Sequence, residues 1–312
     1  MGVGARGRAH ADSNSFVRCR PQLPALGIIH IFARGDAATD RSVMPETNDK
    51  PEAALAFSRL MQAHRSIRRY RSTPVDSHFI DGVLAEAWSG TSSSGNLNMV
   101  SVVKTSDPER KARLHAMHLH QPMVLQAPLV LTFCADSHRT RQWLALREAR
   151  PGFADFYSWH VAAFDALLLS QTVALALESH GLGICYMGTT IGAMRQIADF
   201  LELPDNCLPV TSLVVGWADE APAQRDRLPP AAWIHEERYQ PPTAASIDTH
   251  FAERERRGRE RYLSMGPEMV AAWQQHGIES LAQYYTSKIK YDPDRFAEAS
   301  AALEVLLRER GF

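Results

Sequence analysis

The chain has 312 residues, of which 45% are hydrophobic, so it is long enough to bury a sizeable core in one or two domains. Its 34 basic and 35 acidic residues give a net charge of -1, which argues against a general nucleic-acid binder, because such proteins rely on an excess of positive charge. The four cysteines are far apart and form no C-x-x-C pair, which disfavours a zinc knuckle or a thioredoxin-type site and is typical of a reducing cytoplasm.

No membrane span is expected from the apolar runs of the sequence. Residues 23–33 are too few to cross a bilayer, which takes about 20 residues. The longer run at 161–177 carries Asp165 and Gln171, so we interpret it as a buried helix of a soluble protein.

The first 43 residues differ in composition from the rest of the chain. They are rich in Gly, Ala and Arg, poor in acids, and show no sustained periodicity. A targeting peptide, a disordered tail and a mis-assigned start with Met44 as the true initiator are the alternatives, and we favour the last two. Residues 44–52 are predicted to be a polar linker.

A basic segment follows the first predicted helix, which covers residues 52–63. The segment at 64–70, HRSIRRY, places three arginines, a histidine and a serine in seven positions. Guanidinium and hydroxyl groups match phosphate oxygens as donors, so a phosphate site is one interpretation, and a solvated basic helix end is the other.

A second helix is predicted at 77–88 and ends in the polar loop 89–98, SGTSSSGNLN. The loop leads directly into a β-rich run at 99–104. Small hydroxyl residues and glycine allow a backbone to approach a ligand closely, although a flexible polar loop has the same composition.

A charged helix is predicted at 107–119, and His115, His118 and His120 lie at its end. We interpret them as exposed helix-end histidines rather than metal ligands, because a metal site usually needs a ligand from elsewhere. Residues 127–136 are continuously apolar and β-branched, which predicts a buried strand.

The longest predicted helix covers 156–180, after a mixed helix at 139–150. It is apolar nearly all round, so it belongs in the core or against a partner chain, and a homodimer is plausible. The segment 184–190, ICYMGTT, predicts a short strand that turns into a helix at 191–201. Such a turn can offer backbone N–H groups to an electron-rich ligand atom.

The last predicted core strand covers 209–217, and a loop with two arginines follows it. Arg225 and Arg227 flank Asp226, so they could add to a phosphate site, or the loop could simply be solvated.

The order of these segments resembles the nitroreductase family of FMN enzymes, in particular its NADPH-dependent, oxygen-insensitive nitroreductases and flavin reductases. The resemblance covers about residues 53–242. It rests on six segments in order: HRSIRRY, SSSGNLN, Gln121-Pro122, APLVLTFCAD, GLGICYMG and VGWADEAPAQRDRLP.

This resemblance implies an α+β fold, a three-layer sandwich with a central, mostly antiparallel sheet, assembled as a homodimer. The implied FMN-binding core covers 53–243. Residues 244–312 are then a helical extension packed on the core or on the partner chain.

The resemblance also implies the cofactor ligands. Arg68 is expected near the pyrimidine edge of the flavin, where a cation stabilises the reduced ring. His64 and Arg65 are implied near the phosphate, and Ser66 is implied to hold the cofactor. Arg225 and Arg227 are implied to close on the phosphate.

Further residues are implied along the ring. Gln121 is expected to hydrogen-bond the flavin, and Gly188 to lie beside it with a backbone N–H, next to Tyr186 and Met187. The polar loop is implied to line the site across the dimer interface through Ser92, Ser93 and Ser94.

Two features depart from the family pattern or go beyond it. Thr189 stands where a second glycine is often seen. The family's mobile NADPH segment is expected near residues 254–261, where arginines alternate with glutamates. Binding of a 2′-phosphate and an exposed, ion-paired helix are equally compatible with Arg254, Arg256, Arg257, Arg259 and Arg261.

The implied activity is a two-stage hydride relay, in which NADPH or NADH reduces FMN and a nitroaromatic, quinone or free flavin then takes two electrons. The alternatives are a non-catalytic FMN-binding module for storage or sensing, and a nucleotide-phosphate enzyme of another kind. The second lacks the G-x-x-x-x-G-K-[ST] motif. We expect a cytoplasmic protein with no nucleic-acid or membrane partner.

Overall fold

The computed structural model describes residues 51–312, so the predicted tail at 1–43 and residues 44–50 of the predicted linker lie outside the described part. The strands are β1 (Val100–Thr105), β2 (Leu129–Asp136), β3 (Gly183–Tyr186) and β4 (Cys207–Gly216). The helices are α1 (Glu52–Ala63), α2 (Ser77–Ser89), α3 (Pro108–Met117), α4 (Met123–Gln126), α5 (His138–Ala145), α6 (Phe156–Ser179), α7 (Met194–Phe200), α8 (Ala244–Leu263), α9 (Pro267–Gln275), α10 (Leu281–Tyr285) and α11 (Pro293–Glu309).

The four strands form one sheet in the order β1-β2-β4-β3, and every neighbouring pair is antiparallel. This confirms the predicted α+β class. β2 is buried along its whole length, as its continuous apolar sequence requires. Alternate side chains of β2 and β4 point to opposite faces: Leu131 and Leu213 pack with α2 and α6, whereas Val130 and Val214 pack with α3, α4 and α7.

Helix α6 is the longest helix of the described chain, and it lies against the sheet. Asp155 caps its first turn by accepting a hydrogen bond from the Ser158 N–H, and Gly181, at a φ of 81°, follows its end. One side of the helix is buried, but Phe164 on the other side is 55% exposed. The helix is long and apolar enough to span a membrane, but its buried side packs in the core like a core helix of a soluble protein.

The C-terminal helices pack in two groups. Leu306 and Leu307 of α11, together with Phe312, join a core cluster that contains Trp159 of α6. Helices α8, α9 and α10 surround a smaller cluster centred on Trp273 and on buried Tyr284.

Two predicted helices are longer in the sequence interpretation than in the structure. The helix expected at 139–150 ends at Ala145, because the chain turns there and Glu148 adopts a φ of 50°. The helix expected at 191–201 begins only at Met194, after a short 3-10 turn at Gly188–Thr190.

Candidate functional site

The basic segment at 64–70 runs in an extended conformation along the outer edge of β3. The N–H of Ile67 donates to the carbonyl of Ile184 at 2.9 Å, and Ser66 forms an isolated bridge with the same residue. The segment then bridges Ala218, just past β4. Since α1 already ends at Ala63, the segment is not the helix end that the alternative interpretation required.

Six of the predicted FMN-binding residues line one cleft of about 50 Å³, which we call the arginine cleft. Pro222 and Ala223 complete its wall. Its predicted members come from two segments distant in sequence: His64, Arg65, Ser66, Arg68, Arg225 and Arg227. Four arginine residues around so small a volume suit an anion with several oxygen atoms.

The electrostatics of the arginine cleft favour an anion. Burial lowers the pKa of Arg225, and the nearby Arg261 and Arg68 guanidinium groups lower it further. Because like charges repel each other, a bound anion would relieve this repulsion. The residues therefore fit the phosphate group of a flavin mononucleotide.

The side chain of Glu178, which lies on α6, contacts the imidazole ring of His64. The Nδ1 of His64 lies 2.8 and 3.0 Å from the two carboxylate oxygens of Glu178. Burial raises the pKa of Glu178, and the contact with His64 opposes this rise. No described residue bonds the Nε2 of His64, which leaves that atom for a ligand in the arginine cleft.

A larger cavity of about 240 Å³ adjoins the arginine cleft and shares His64 and Arg65 with it. Glu178 and Glu220 also line this cavity. Glu220 accepts hydrogen bonds from the N–H groups of Arg68 at 2.5 Å and Arg69 at 3.1 Å, so it fixes the backbone of the basic segment.

The acid between the two loop arginines contacts α8 instead of a ligand. The buried carboxylate of Asp226 lies 3.3 Å from Arg254 and 3.5 Å from Arg261. The carboxylate thereby ties the loop that carries Arg225 and Arg227 to helix α8.

The other three arginines of α8 fall into two groups. One is ion-paired, as expected for an exposed helix, and two have no carboxylate partner within residues 51–312. Arg256 pairs with Glu253 and Glu260 on the exposed surface, at 2.7 and 2.8 Å, as in the ion-paired helix. Arg257 and Arg259 bond no carboxylate among the described residues, and each donates to a backbone carbonyl.

The turn at Gly188–Thr190 is rigidly supported from the sheet. The N–H of Met187 donates to the carbonyl of Ser212 at 2.8 Å, and the hydroxyl of Thr190 donates to the carbonyl of Met187 at 2.8 Å. Within residues 51–312, the N–H groups of Gly188 and Thr189 have no acceptor. A β-carbon at Gly188 would meet no atom within 4 Å, so the turn has open space beside this residue.

Tyr186 and Met187 contribute differently. The hydroxyl of Tyr186 lies 3.1 Å from the Ser170 hydroxyl, and burial raises the pKa of Tyr186. Met187 is buried. Cys185 is a neighbour of Ser66 and Arg68. Gly188 lies three residues further along, which corresponds to about 10 Å of extended chain.

Gln121 lies beside the turn, and one prediction for a neighbouring residue was wrong. The amide nitrogen of Gln121 is 3.4 Å from the Thr189 hydroxyl, and the Nδ1 of His118 is 2.8 Å from the same oxygen. His118 was expected to be exposed at a helix end, but it is fully buried. It follows the last turn of α3, which packs against α4 and α7 and so covers the ring.

The serine loop lies far from the arginine cleft of its own chain. The hydroxyl of Ser93 donates to buried Asp165 at 2.7 Å, and the Ser94 N–H donates to the same carboxylate at 3.0 Å. Asp165 and Glu178 lie on the same helix, about 20 Å apart along its axis. Ser92 and Ser94 are exposed, whereas Ser93 uses its hydroxyl to anchor the loop.

Several supporting residues were missed by the sequence interpretation: Glu178, Glu220, Asp226 and His118. For one of these residues, Glu178, its position in the predicted helix could have indicated a partner. Glu178 lies in the last turn of α6, where a carboxylate opposes the helix dipole, so a compensating partner could have been expected.

Comparison with known proteins gives a consistent result. Residues 61–217 match the Nitroreductase family. An FMN reductase (NAD(P)H) of Bacillus subtilis is 35% identical over 180 residues, which cover 56% of this chain and 71% of the relative. An oxygen-insensitive NADPH nitroreductase of Salmonella typhimurium is 32% identical over 182 residues, which cover 58% of this chain and 74% of the relative.

Solved structures share the fold over most of the chain. The structure of the nitroreductase NfrA1 from B. subtilis has a TM-score of 0.70 at 26% identity, covering 82% of this chain and 98% of the other. The structure of an NADPH:FMN oxidoreductase from Vibrio harveyi complexed with NAD+ has a TM-score of 0.63 at 25% identity, covering 80% of this chain and 97% of the other.

Proposed function

Because the chain belongs to the nitroreductase family, we propose that it is an FMN-dependent NAD(P)H oxidoreductase that reduces small electrophiles. The main support for this proposal is that four arginines line one cleft beside β3: Arg65, Arg68, Arg225 and Arg227. When bound, FMN supplies the hydride-transfer chemistry, so the protein needs no acid–base triad of its own.

The chain's residues anchor and polarise the site. The guanidinium groups of Arg65, Arg225 and Arg227, with His64 and Ser66, hold the phosphate through charge-assisted hydrogen bonds. Arg68 adds a positive charge at the pyrimidine edge of the ring, where it favours the reduced form.

The turn after β3 contributes the neutral donors of the site. The N–H groups of Gly188 and Thr189 are oriented by the bonds of Met187 and Thr190, so they can donate to electron-rich atoms of the ring. The side chain of Gln121 supplies a further polar contact at the same turn, and Tyr186 borders it.

The electron acceptors we propose are nitroaromatics, quinones or free flavin. The relatives named above are reductases, which favours turnover over the storage or sensing alternative. For the donor we propose NADPH, with NADH as the alternative. Arg257 and Arg259 are the α8 arginines available to a 2′-phosphate, because the other three pair with carboxylates.

We further propose a cytoplasmic homodimer of three-layer sandwiches, in which each chain lends its serine loop to the site of the other. Helix α1 has no buried residue, and α6 exposes the apolar side chains Tyr157, Phe164 and Leu168. A partner chain on these faces would cover them and bring Ser92, Ser93 and Ser94 toward the arginine cleft of the partner. The buried free thiols of Cys134, Cys185 and Cys207 suit a reducing compartment.

The first test removes single arginines from the cleft. Loss of one charge-assisted hydrogen bond should raise the dissociation constant of FMN about 10- to 100-fold in Arg68→Ala and in Arg227→Ala. Fluorescence titration of the apoprotein with FMN measures this change. Arg308→Ala, at an exposed surface position, serves as the control. Retention of full flavin content by both cleft variants after dialysis would refute the placement of the anion site.

Turnover distinguishes the enzyme from a flavin-storage module. We expect the flavin-loaded protein to oxidise NADPH continuously when a nitroaromatic or a quinone is present, in a ping-pong pattern. Bound FMN without measurable NADPH oxidation with either acceptor would favour storage or sensing.

A further inference from the structure

Three residues from two separate segments meet at one hydroxyl group next to Gly188. The Oγ1 of Thr189 lies 2.8 Å from the Nδ1 of His118 and 3.4 Å from the Nε2 of Gln121. Among the described residues, no group bonds the Nε2 of His118, although the side chain is fully buried. We call these three residues the Thr189 relay.

The amide nitrogen of Gln121 can only donate, so it donates to the Thr189 oxygen at 3.4 Å. The contact between the Thr189 hydroxyl and the Nδ1 of His118 runs in either direction, depending on the tautomer of the imidazole. In the tautomer with its proton on Nε2, Nδ1 accepts from the Thr189 hydroxyl, which otherwise has no acceptor among the described residues, and we infer this arrangement. Burial keeps the ring neutral by lowering its pKa to about 4.

We propose that His118 is a positioning residue that determines, through Thr189, which end of the Gln121 carboxamide faces the cofactor. With the nitrogen of Gln121 engaged by Thr189, its carbonyl oxygen is left for the site. The site then offers a hydrogen-bond acceptor, which matches an imide N–H such as N3–H of the flavin ring. This inference rests on the proposed function, because it takes FMN as the ligand.

The cost of burying His118 supports a positioning role. A buried polar nitrogen without a partner destabilises the folded state, whereas an apolar side chain of similar size would avoid that cost. The imidazole provides one feature that an apolar side chain lacks, the acceptor that orders the Thr189 hydroxyl. Orientation of Gln121 is the consequence that reaches the surface of the site.

Matched pairs of variants test this inference with two ligands, FMN and N3-methyl-FMN, by fluorescence titration of the apoprotein. In the native protein, methylation of N3 removes the donor, so we expect about 10-fold weaker binding. In Thr189→Val and His118→Leu the carboxamide is free to rotate, and the ratio of the two dissociation constants should fall to about 2-fold or less.

The conservative partners should keep the native ratio. Thr189→Ser retains the hydroxyl, and His118→Asn retains an acceptor near the position of Nδ1. An unchanged ratio in Thr189→Val and His118→Leu would overturn the inference, as would a ratio that falls equally in the conservative variants. If His118→Leu fails to fold, the Thr189 pair decides the question, because valine and threonine have the same shape.

Titration with the two ligands distinguishes a failure of the proposed function from a failure of the Thr189 relay. If the native protein binds neither ligand, the proposed function is wrong. If it binds FMN but the ratio does not respond to Thr189→Val, only the role of the Thr189 relay is wrong.

Discussion

At the scale of single residues, His118 couples the site to the stability of the fold. Burial lowers the pKa of the folded-state imidazole to about 4, whereas an unfolded histidine titrates near the reference value of 6.5. As the pH falls through about 6.5, the unfolded chain takes up a proton that the folded chain does not. The folded state is therefore destabilised progressively between about pH 6.5 and 4, and the loss is complete below that.

We predict that this histidine dominates the difference in acid sensitivity between the native protein and His118→Leu. Between pH 7 and 4.5 the native free energy of unfolding should fall by about 2–3 kcal/mol more than that of the variant. Urea denaturation at both pH values measures it. Glu178, whose pKa is raised, acts in the opposite direction but is present in both proteins.

His120→Leu provides the control for this comparison, because His120 is exposed two residues away. We expect its pH dependence to match that of the native protein. Parallel curves for the native protein and His118→Leu would show that the buried histidine is not the group responsible.

At the scale of elements, helix α8 acts as a brace for the loop that carries two of the cleft arginines. Asp226 is buried between Arg254 and Arg261, and the loop also contacts α1, since the Gln224 side chain donates to the carbonyl of Gln62. The arginine cleft thus depends on a contact between its loop and α8. The family resemblance did not predict this contact.

We predict that Asp226→Asn weakens both the loop and cofactor binding. Loss of the carboxylate leaves two guanidinium groups without their partner, which should reduce the free energy of unfolding by about 1–3 kcal/mol. Without the brace, Arg225 and Arg227 are less well oriented, and we expect FMN to bind about 10-fold more weakly. Urea denaturation and FMN titration measure the two effects.

Glu253→Gln is the matched control. Glu253 lies on α8, as do Arg254 and Arg261, but it pairs with Arg256 on the exposed surface. Exposed pairs of this kind contribute little to stability, so we expect no measurable change in FMN affinity. Equal effects of the two variants would argue against a specific role for the Asp226 contact.

At the scale of the whole molecule, one chain places its two sets of predicted ligands at distant positions. The serine loop is anchored at Asp165 and the arginine cleft at Glu178, about 20 Å apart along α6. We propose that a single flavin site uses both sets and is therefore built from two copies of the chain. The exposed apolar side of α6 is the surface on which we expect the second copy.

We predict that Phe164→Asp produces a monomer that has lost FMN, since a charge would be buried at the dimer interface. Phe296→Asp is the control, because Phe296 is an equally exposed phenylalanine on α11. Sedimentation equilibrium and the flavin absorbance of the purified proteins give the two readings. A Phe164→Asp dimer with full FMN content would contradict both the interface and the shared site.

The sequence by itself determined the order and type of most elements. Asp76, Asp107 and Asp155 cap helices that the sequence predicted, and β2 was evident from its continuous apolar run. These features depend on neighbours within a few residues, so they can be recognised without the fold. The arginines of the basic segment could be named from the sequence as candidate phosphate ligands, with a solvated basic helix end as the alternative.

Only the tertiary structure decided which polar groups share a partner. Glu178 meets His64, Asp226 meets Arg254 and Arg261, and His118 meets Thr189, each across a long stretch of intervening chain. Burial and pairing arise when strands and helices pack together, so no local pattern encodes them. The error over His118 has this cause: a histidine at a helix end is exposed unless another element covers it, and here α4 and α7 pack against α3.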